Sequence, residues 1–468
     1  MTSLEVFAQM IKGDIVTPAD PSYPASLVRW AKNAECKARV VVYVKDAEDV
    51  ARSIAYAKEH NLLFAIHGGG HNASGASSAE DGLVVDLSRY FAGVRVDAEK
   101  RLAYIGGGAI WKTVDEAAIE YGLATVGGTV HNTGVGGLTL GGGYGYLSGR
   151  HGLTIDNFEQ ATLVLADGSV VTASETENSG LFWGIRGGGS NFGVVTEFVL
   201  RLHPQRKTVF AGISIFNMNQ VEQLVKVTLE WARTVHEDEV IFHLAGTDDV
   251  GNPMLPVLFF YNGNEQEGRE RFKDFFAIGP VVDGTKEIPY EKLNAILTPM
   301  VPHGKGRYLR AIGHKEPDLT STLLFLQKAS EITKQGTFKL LALHEYRSNA
   351  KINSVPMECT AFRRTPAQSI FFFATWDKPT GDQTELSKKA RQLIDEAINE
   401  CFLSKTLEMG MSEEYDVAGY ANVEMVHERN DVARVRASFG ENLPRLQEVK
   451  KKYDPEAFFN RWCPIPLP

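Results

Sequence analysis

Residues 64–75 read Phe-Ala-Ile-His-Gly-Gly-Gly-His-Asn-Ala-Ser-Gly, and the interpretation of the whole chain depends on this stretch. The apolar run at 62–66 is typical of a buried strand. The glycines that follow permit positive φ and leave backbone N–H groups uncovered, so the turn is suited to holding a phosphate. His71 comes directly after them, within reach of a group attached to that phosphate. Alone, such a turn is more often a solvated loop, since single glycine motifs are weak evidence.

Two further glycine-rich regions favour a ligand-binding turn over a solvated loop. Residues 122–152 contain 12 glycines, and residues 186–195 read Arg-Gly-Gly-Gly-Ser-Asn-Phe-Gly-Val-Val. Segments so poor in large side chains cannot build a core of their own, but their backbone can pass very close to a flat ligand. The first 204 residues therefore predict a ligand-binding domain built on three glycine-rich turns.

Composition excludes several classes of function. The chain has 468 residues, 43% hydrophobic content and a net charge of −9, which is an ordinary globular composition without a basic face. Nucleic acids and anionic membranes call for such a face, so neither is expected as a partner. No apolar stretch is long enough for a membrane span.

The cysteines and the N-terminus bear on location. The four cysteines are far apart and form neither a CxxC nor a zinc-type pattern, so we predict free thiols and no metal site. The first residues lack a cationic segment followed by an apolar core, so no secretory signal is predicted and the expected location is cytoplasmic.

The pattern of elements changes after Pro204. Amphipathic helices at 219–235, 265–276, 319–334 and 384–400 alternate there with strands at 208–216, 240–245, 256–261, 307–312, 337–346 and 369–376. Such a region predicts an antiparallel sheet covered on one face by helices. We therefore expect an α+β protein with a first domain at 1–204, a second at 205–410, and a segment at 411–468 that returns to the first.

Five motifs then give a family resemblance. They are Gly-Gly-His at 69–71, the glycine-rich run at 127–145, Leu-Thr-Ile-Asp-Asn at 153–157, Arg-Gly-Gly-Gly-Ser-Asn-Phe-Gly-Val-Val-Thr at 186–196, and Tyr-Asp-Pro-Glu-Ala-Phe-Phe at 453–459. In this order they resemble the berberine-bridge-enzyme-like flavoproteins of the vanillyl-alcohol oxidase or p-cresol methylhydroxylase (PCMH) superfamily. The resemblance implies a two-subdomain FAD-binding domain of the PCMH type, plus a substrate domain whose sheet covers the flavin ring. The middle of the chain matches in layout more than in residues.

The resemblance also implies how FAD is held. The histidine of the Gly-Gly-His motif, His71, would be bonded to the 8α-methyl group of FAD, a reaction that needs a neutral imidazole. A second, cysteinyl link occurs in many relatives, but Val130 occupies that position, so a single link is expected. His67 is predicted to hydrogen-bond within the turn or to assist the linkage as a base. The other expected cofactor contacts are Gly68, Gly69, Gly70, Asn72, Gly75, Thr129, Val130, Asn132, Thr133, Gly134, Gly137, Gly141, Gly142, Tyr144, Gly145, Gly193, Val195, Asn422 and Asn460.

The implied reaction is hydride transfer from a substrate C–H to flavin N5, with a protein base taking the proton from the adjacent hydroxyl or amine. Tyr420 and Asn422 lie in Tyr-Ala-Asn-Val-Glu, which resembles the family's YxNY element. The second tyrosine of that element can be the base in relatives, but Val423 replaces it here. Another base is therefore needed, and Tyr420 is either a site residue or part of the packing.

Strand parity supplies further catalytic candidates. Tyr308 and Arg310 share one face of their strand, and His344 and Tyr346 share one face of theirs. The alternative for each pair is an ordinary surface position on the sheet. Two aromatic side chains of the next strand, Phe372 and Trp376, could stack on a substrate, although a core role is the default. His131 is also within plausible reach of the flavin.

Thr133 occupies the position where, by resemblance, residue bulk governs oxygen access to the flavin. Its small side chain favours an oxidase that uses O2 and releases hydrogen peroxide. The leading hypothesis is an FAD-dependent oxidase of a small alcohol, sugar or secondary metabolite. The alternatives are a dehydrogenase with a quinone-like acceptor, and a flavin-containing cyclase or scaffold without net redox chemistry. The substrate stays undetermined at this stage, and a monomer is expected.

Overall fold

The structure is a computed structural model that describes residues 2–365, 367–377, 382–411, 420–423 and 432–468. Within these ranges no helix has the length and apolar character needed to cross a membrane. All four cysteines lie within these ranges, and none of them forms a disulfide bond. The same ranges hold no cluster of three or more His, Cys, Asp or Glu side chains arranged to bind a metal ion.

The first sheet is small and mainly parallel. Its strand order is β1-β2-β4-β3, with β2, β4 and β3 parallel and β1 antiparallel to β2. Helix α3 begins after Asp46, which caps it by accepting from the N–H of Asp49, and connects β2 to β3. This part contains α1 Ser3–Met10, β1 Asp14–Val16, α2 Tyr23–Ser26, β2 Val40–Tyr43, α3 Ala47–Glu59, β3 Phe64–His67 and β4 Leu83–Asp86.

A second, five-stranded sheet completes the first 204 residues. It is antiparallel with the order β5-β6-β10-β8-β9, and its core includes Trp111, Phe158, Phe182 and Phe198. Its elements are β5 Val94–Asp97, β6 Leu102–Gly106, α4 Trp111–Ile119, β7 Leu123–Ala124, α5 Val135–Leu140, α6 Ser148–His151, β8 Phe158–Val164, β9 Val170–Ser174, α7 Ser179–Ile185, β10 Val194–Arg201 and β11 His203–Pro204, which pairs with β7.

The third sheet is large and antiparallel. Its order is β15-β12-β14-β13-β18-β19-β17, with β16 also paired to β12. Its elements are β12 Thr208–Phe216, α8 Val221–Ala232, β13 Glu239–Thr247, β14 Pro253–Tyr261, α9 Glu265–Arg271, α10 Lys273–Ala277, β15 Val282–Asp283, β16 Lys286–Pro289, β17 Gly306–His314, α11 Leu319–Lys334, β18 Phe338–Arg347, α12 Ala350–Asn353, β19 Gln368–Trp376, α13 Gln383–Ile398 and α14 Ser404–Glu408. A π-helical turn at Asn399–Leu403 joins the last two helices.

Alternation along these strands gives the third sheet two different faces. One face packs under helices α8, α11 and α13 in a core that includes Phe325, Ile394 and Phe372. The other face carries Leu244, Leu343 and Phe371 toward the glycine-rich turns. The α+β architecture and the helix-covered antiparallel sheet are therefore as predicted.

The C-terminal segment packs on the first part of the chain. It contains α15 Val432–Phe439 and α16 Leu443–Tyr453. Lys450 and Asp454 form a fully buried ion pair at 2.6 Å, and the Lys450 ammonium also donates to the carbonyl of Asn191. Arg461 donates to the carbonyl oxygens of Gly75 and Ser78. The last residues therefore fix both the first and the third glycine-rich turns in place.

Candidate active site

A cavity of about 320 Å³ lies between the glycine-rich turns and the third sheet. The backbone of all three turns forms one wall, and side chains of β13, β17, β18 and β19 form the opposite wall. Aromatic side chains from distant parts of the sequence, Trp30, Tyr144 and Trp462, close its sides. The cavity thus collects the segments that the sequence singled out.

The first two turns touch backbone to backbone. A Cβ atom on Gly69 would lie 2.4 Å from the backbone nitrogen of Gly134, and one on Gly134 would lie 2.6 Å from that of Gly69. Gly70 has φ of +63°, a conformation that other residues rarely adopt. Only glycine fits at this approach, which brings residues 68–71 and 133–137 to one side of the cavity.

His71 is held by contacts on two sides. Its ring stacks on the indole of Trp30 with centroids 4.3 Å apart and planes 13° apart. Its Nε2 lies 3.3 Å from Oδ1 of Asn132, whose Nδ2 lies 3.4 Å from Nδ1 of His303. The guanidinium of Arg307 also lies over Trp30, 4.2 Å from the indole centre. These contacts fix the orientation of the imidazole.

The electrostatics of this cluster keep His71 neutral. The pKa of His71 is lowered to about 3, mainly by burial; the hydrogen bond to Asn132 opposes the shift, and the charges of His303 and Arg307 add to it. With Asn132 Nδ2 donating to His303, its Oδ1 accepts from His71, so the proton of the imidazole resides on Nε2. Nδ1 then keeps its lone pair.

The glycine wall offers a polar group to a bound ligand. Ser77 lines the cavity, and its buried hydroxyl has no hydrogen-bond partner within the described part of the chain. Buried polar atoms normally have partners, so this hydroxyl fits a ligand oxygen. The loop that carries it is fixed from within, because Asn72 Oδ1 accepts from the backbone N–H groups of Ser74 and Ala76 at 3.0 and 3.1 Å.

The sheet wall is almost entirely apolar. The cavity-facing side chains of these strands are Leu244, Leu309, Leu341, Leu343, Phe371, Phe373 and Glu345. Glu345 is thus the carboxylate that the wall presents to the cavity.

Glu345 is paired within the protein. Arg347 Nη1 donates to Glu345 Oε2, and both side chains are buried. The Arg347 guanidinium also lies 4.3 Å from the ring centre of Tyr144. Burying a carboxylate without a counter-charge is costly, so the arginine compensates the charge that Glu345 brings into the site.

Tyr420 lines the cavity as a hydrogen-bond acceptor. Its Oη accepts from the backbone N–H of Gly143 at 3.0 Å and from Nδ2 of Asn422 at 2.7 Å. Burial raises the pKa of Tyr420 well above its usual range. The phenol therefore stays protonated near neutrality, and its oxygen fixes the second glycine-rich turn. Val423 lines the cavity beside it.

The structure brings many of the predicted cofactor residues together and leaves others outside. Those that line the cavity are Gly68, Gly69, Gly70, His71, Asn72, Thr129, Val130, Thr133, Gly134, Gly137, Tyr144, Gly193, Val195 and Asn422. Those that do not line it are His67, Gly75, Asn132, Gly141, Gly142, Gly145 and Asn460.

Several of the second group have a different structural role. A Cβ atom at Gly141, Gly142 or Gly145 would collide with Asn422, with Phe362 or with the carbonyl of Gly127. His67 lies beneath the first turn, with its Nδ1 2.7 Å from a carboxylate oxygen of Asp86. Asn460 donates to the carbonyl of Ala457, Gly75 accepts from Arg461, and Asn132 orients His71.

The catalytic candidates taken from strand parity do not line the cavity. Tyr308, Arg310, His344 and Tyr346 lie on the helix-covered side, because the odd-numbered residues of β17 and β18 face the cavity. Arg310 pairs instead with Asp395 of α13 at 2.5 Å. Parity identified residues that share a face but did not reveal which face is covered by helices.

Three other sequence candidates are also outside the cavity lining. Phe372 and Trp376 belong to the core beneath the helices, which is the default interpretation of aromatic residues at that spacing. His131 hydrogen-bonds through Nδ1 to the Thr298 hydroxyl at 2.9 Å.

The sequence interpretation missed Glu345, Trp30, Trp462 and Ser77. The signal for Glu345 was available, since it is a single carboxylate in step with Leu341 and Leu343 on the opposite parity of β18. Trp30 and Trp462 lie outside any motif of the turns, and only the fold brings them to the cavity.

Comparisons with known proteins agree with this geometry. Residues 38–174 match the FAD binding domain family, and residues 419–466 match the family described as berberine and berberine like. The FAD-linked oxidoreductase pgmH of Aspergillus terreus is 33% identical over 97% of this chain and 94% of that protein.

Solved structures give the same fold. The 6-hydroxy-D-nicotine oxidase of Arthrobacter nicotinovorans has a TM-score of 0.82 at 25% identity, over 97% of this chain and 98% of that one. The glucooligosaccharide oxidase of Acremonium strictum, which carries a 6-S-cysteinyl, 8α-N1-histidyl FAD, has a TM-score of 0.83 at 20% identity over 99% of both chains.

Proposed function

Since this chain belongs to the berberine-bridge-enzyme-like family of FAD-linked oxidoreductases, we propose that it holds FAD covalently through His71 and oxidises a C–H group next to a hydroxyl. The observation that carries the proposal is that one cavity has a neutral, oriented imidazole on the glycine side and a single carboxylate, Glu345, on the sheet side. Bound FAD supplies the two-electron chemistry by accepting the hydride of the substrate.

The geometry of His71 supports attachment through Nδ1. Asn132 hydrogen-bonds to Nε2 of His71, and the lowered pKa of His71 leaves its Nδ1 unprotonated near neutrality. A neutral imidazole nitrogen with a free lone pair is the nucleophile that bond formation requires. The 8α-N1-histidyl link of the Acremonium strictum oxidase is of this kind. Val130 lines the cavity where that second, cysteinyl link would need a sulfur, so His71 is the sole proposed attachment point.

Glu345 is the proposed base. It faces the cavity from β18, which is paired on both sides within the antiparallel sheet, and Arg347 compensates its charge. A carboxylate positioned in this way can accept the hydroxyl proton of a substrate while the hydride leaves the adjacent carbon. Tyr420 is unsuited to that role, because burial raises its pKa and its oxygen already accepts two hydrogen bonds. Tyr420 is therefore proposed as a positioning residue.

Molecular oxygen is the proposed electron acceptor. Thr133 lines the cavity as a small side chain, which leaves space for O2. The Arthrobacter nicotinovorans and Acremonium strictum proteins are both oxidases, and this supports the choice. This choice of acceptor is tested by measuring peroxide formation with and without an artificial quinone acceptor. A reaction that proceeds only with the quinone would identify a dehydrogenase.

The attachment is tested by denaturing the purified protein. In the wild type, flavin absorbance and in-gel fluorescence are expected to stay with the precipitated chain. In His71→Ala they are expected to be lost, because the described lining holds no other histidine and no cysteine. His131→Ala is the matched control, since that histidine lies outside the cavity lining. Covalent flavin in His71→Ala would contradict the proposed link, and wild-type protein without any flavin would refute the proposed function.

A further inference from the structure

The sheet wall of the cavity is organised as two cross-strand rows of apolar side chains. Leu244, Leu343 and Phe371 stand opposite one another across β13, β18 and β19. Leu341, Phe373 and Leu309 do the same across β18, β19 and β17. Residues two apart on a strand are about 7 Å apart, so the two rows form a broad apolar platform. Glu345 lies one step further along β18, at the edge of this platform.

From this arrangement we propose that the substrate is a neutral, apolar alcohol with an aromatic or alicyclic ring body. Its hydroxyl would donate to Glu345, and its ring body would lie on the two rows. This inference rests on the proposed function and specifies the substrate class of the same site. It excludes oligosaccharides, although several proteins of the same fold oxidise them.

The first argument is hydrogen bonding. A sugar carries a hydroxyl on nearly every ring carbon, and each buried hydroxyl needs a partner to replace the water that it loses. The six platform side chains offer no donor or acceptor, and three lining residues from outside the strands, Leu297, Met300 and Val301, offer no side-chain oxygen or nitrogen either. An apolar ring, in contrast, gains free energy from every part of its surface that this platform removes from water.

The second argument is charge. Glu345 is the one ionisable side chain that the four strands contribute to the lining, and it is already paired with Arg347. The buried pair is neutral as a whole, so a cationic amine would enter without a counter-charge. A hydroxyl needs only the free oxygen of Glu345 as an acceptor. A neutral alcohol is therefore favoured over an amine of the same shape.

The test uses the flavin of the holoenzyme as its reporter. Three probes are titrated anaerobically: 1-naphthalenemethanol, 1-naphthylmethylamine, which has the same size and shape, and the larger disaccharide cellobiose. The alcohol is expected to bleach or shift the flavin spectrum at a concentration at least about tenfold below that of the amine and the disaccharide. Peroxide formation in air then confirms turnover of the alcohol.

Two platform variants connect the result to the rows. Leu343→Asn and, as a milder change at a more accessible position, Leu341→Gln place a polar group under the ring body. Each is expected to weaken the response to the alcohol by about tenfold or more while flavin content stays unchanged. Leu324→Asn, on the exposed side of α11, is the matched control and should respond like the wild type.

The outcomes separate the two levels of the proposal. Flavin-loaded protein that responds to cellobiose, to the amine in preference to the alcohol, or to none of the probes overturns the substrate class. The proposed function still stands in those cases if covalent flavin is present on His71. Protein that carries no flavin refutes the proposed function itself.

Discussion

Replacement of Glu345 by glutamine tests the chemistry of the site most directly. Glutamine keeps the size of the side chain and its oxygen, but it cannot take a proton from a substrate hydroxyl. Loss of a positioned base slows a reaction by about 10²–10⁴-fold, which corresponds to about 3–5 kcal/mol of activation free energy. The expected result is a fall of that size in the anaerobic rate of flavin reduction.

The same variant also affects stability, and this must be separated from catalysis. Glu345 and Arg347 form a buried pair, so Glu345→Gln leaves a buried guanidinium without its counter-charge. Breaking such a pair costs about 3–5 kcal/mol of unfolding free energy, whereas removing both charges is often neutral. The double variant Glu345→Gln, Arg347→Met should therefore recover most of the stability.

The comparison of single and double variants distinguishes the loss of a catalytic base from the loss of stability. If Glu345 is the base, the double variant regains its denaturation midpoint but reduces flavin as slowly as the single variant. Glu345→Asp keeps a carboxylate on a shorter chain and should retain part of the rate. The reasoning is refuted if Glu345→Gln, with full flavin content, reduces its flavin within about tenfold of the wild-type rate.

Three further outcomes are expected. Gly69→Ala should lower stability by about 1–3 kcal/mol and reduce flavin content, because its Cβ would overlap the second turn, whereas Gly180→Ala should be tolerated in thermal melts. Burial lowers the pKa of His243 to about 3 and of His314 to about 4, so both are neutral in the folded state. The free energy of unfolding should be constant above the unfolded-state pKa of about 6.5, and below it should fall by up to about 1.4 kcal/mol per pH unit for each histidine. Urea denaturation midpoints at decreasing pH measure this fall. His314→Phe should make the pH dependence less steep. Arg310→Ala should change the rate of flavin reduction by less than about twofold, since that side chain pairs on the helix-covered face; a large loss would place the substrate on the other side of the sheet.

The sequence alone determined the features that depend on local backbone chemistry. Consecutive glycines at 68–70 and 141–143 require conformations or close contacts that other residues cannot adopt, so the turns are visible without a structure. Alternation and amphipathic periodicity fixed the helix-covered antiparallel sheet after residue 204. The five ordered motifs identified the family, and with it His71 as the proposed attachment point of the flavin.

Tertiary structure decided what depends on contacts between distant segments. Period-two alternation in β17 and β18 groups residues by face, but the two faces differ only in what packs on them. For that reason parity alone points to Arg310 and His344, whereas Glu345 is the residue that lines the cavity. The free nitrogen of His71 likewise depends on Asn132, which lies 61 residues away in the sequence and meets the imidazole only because two glycine turns pack backbone to backbone.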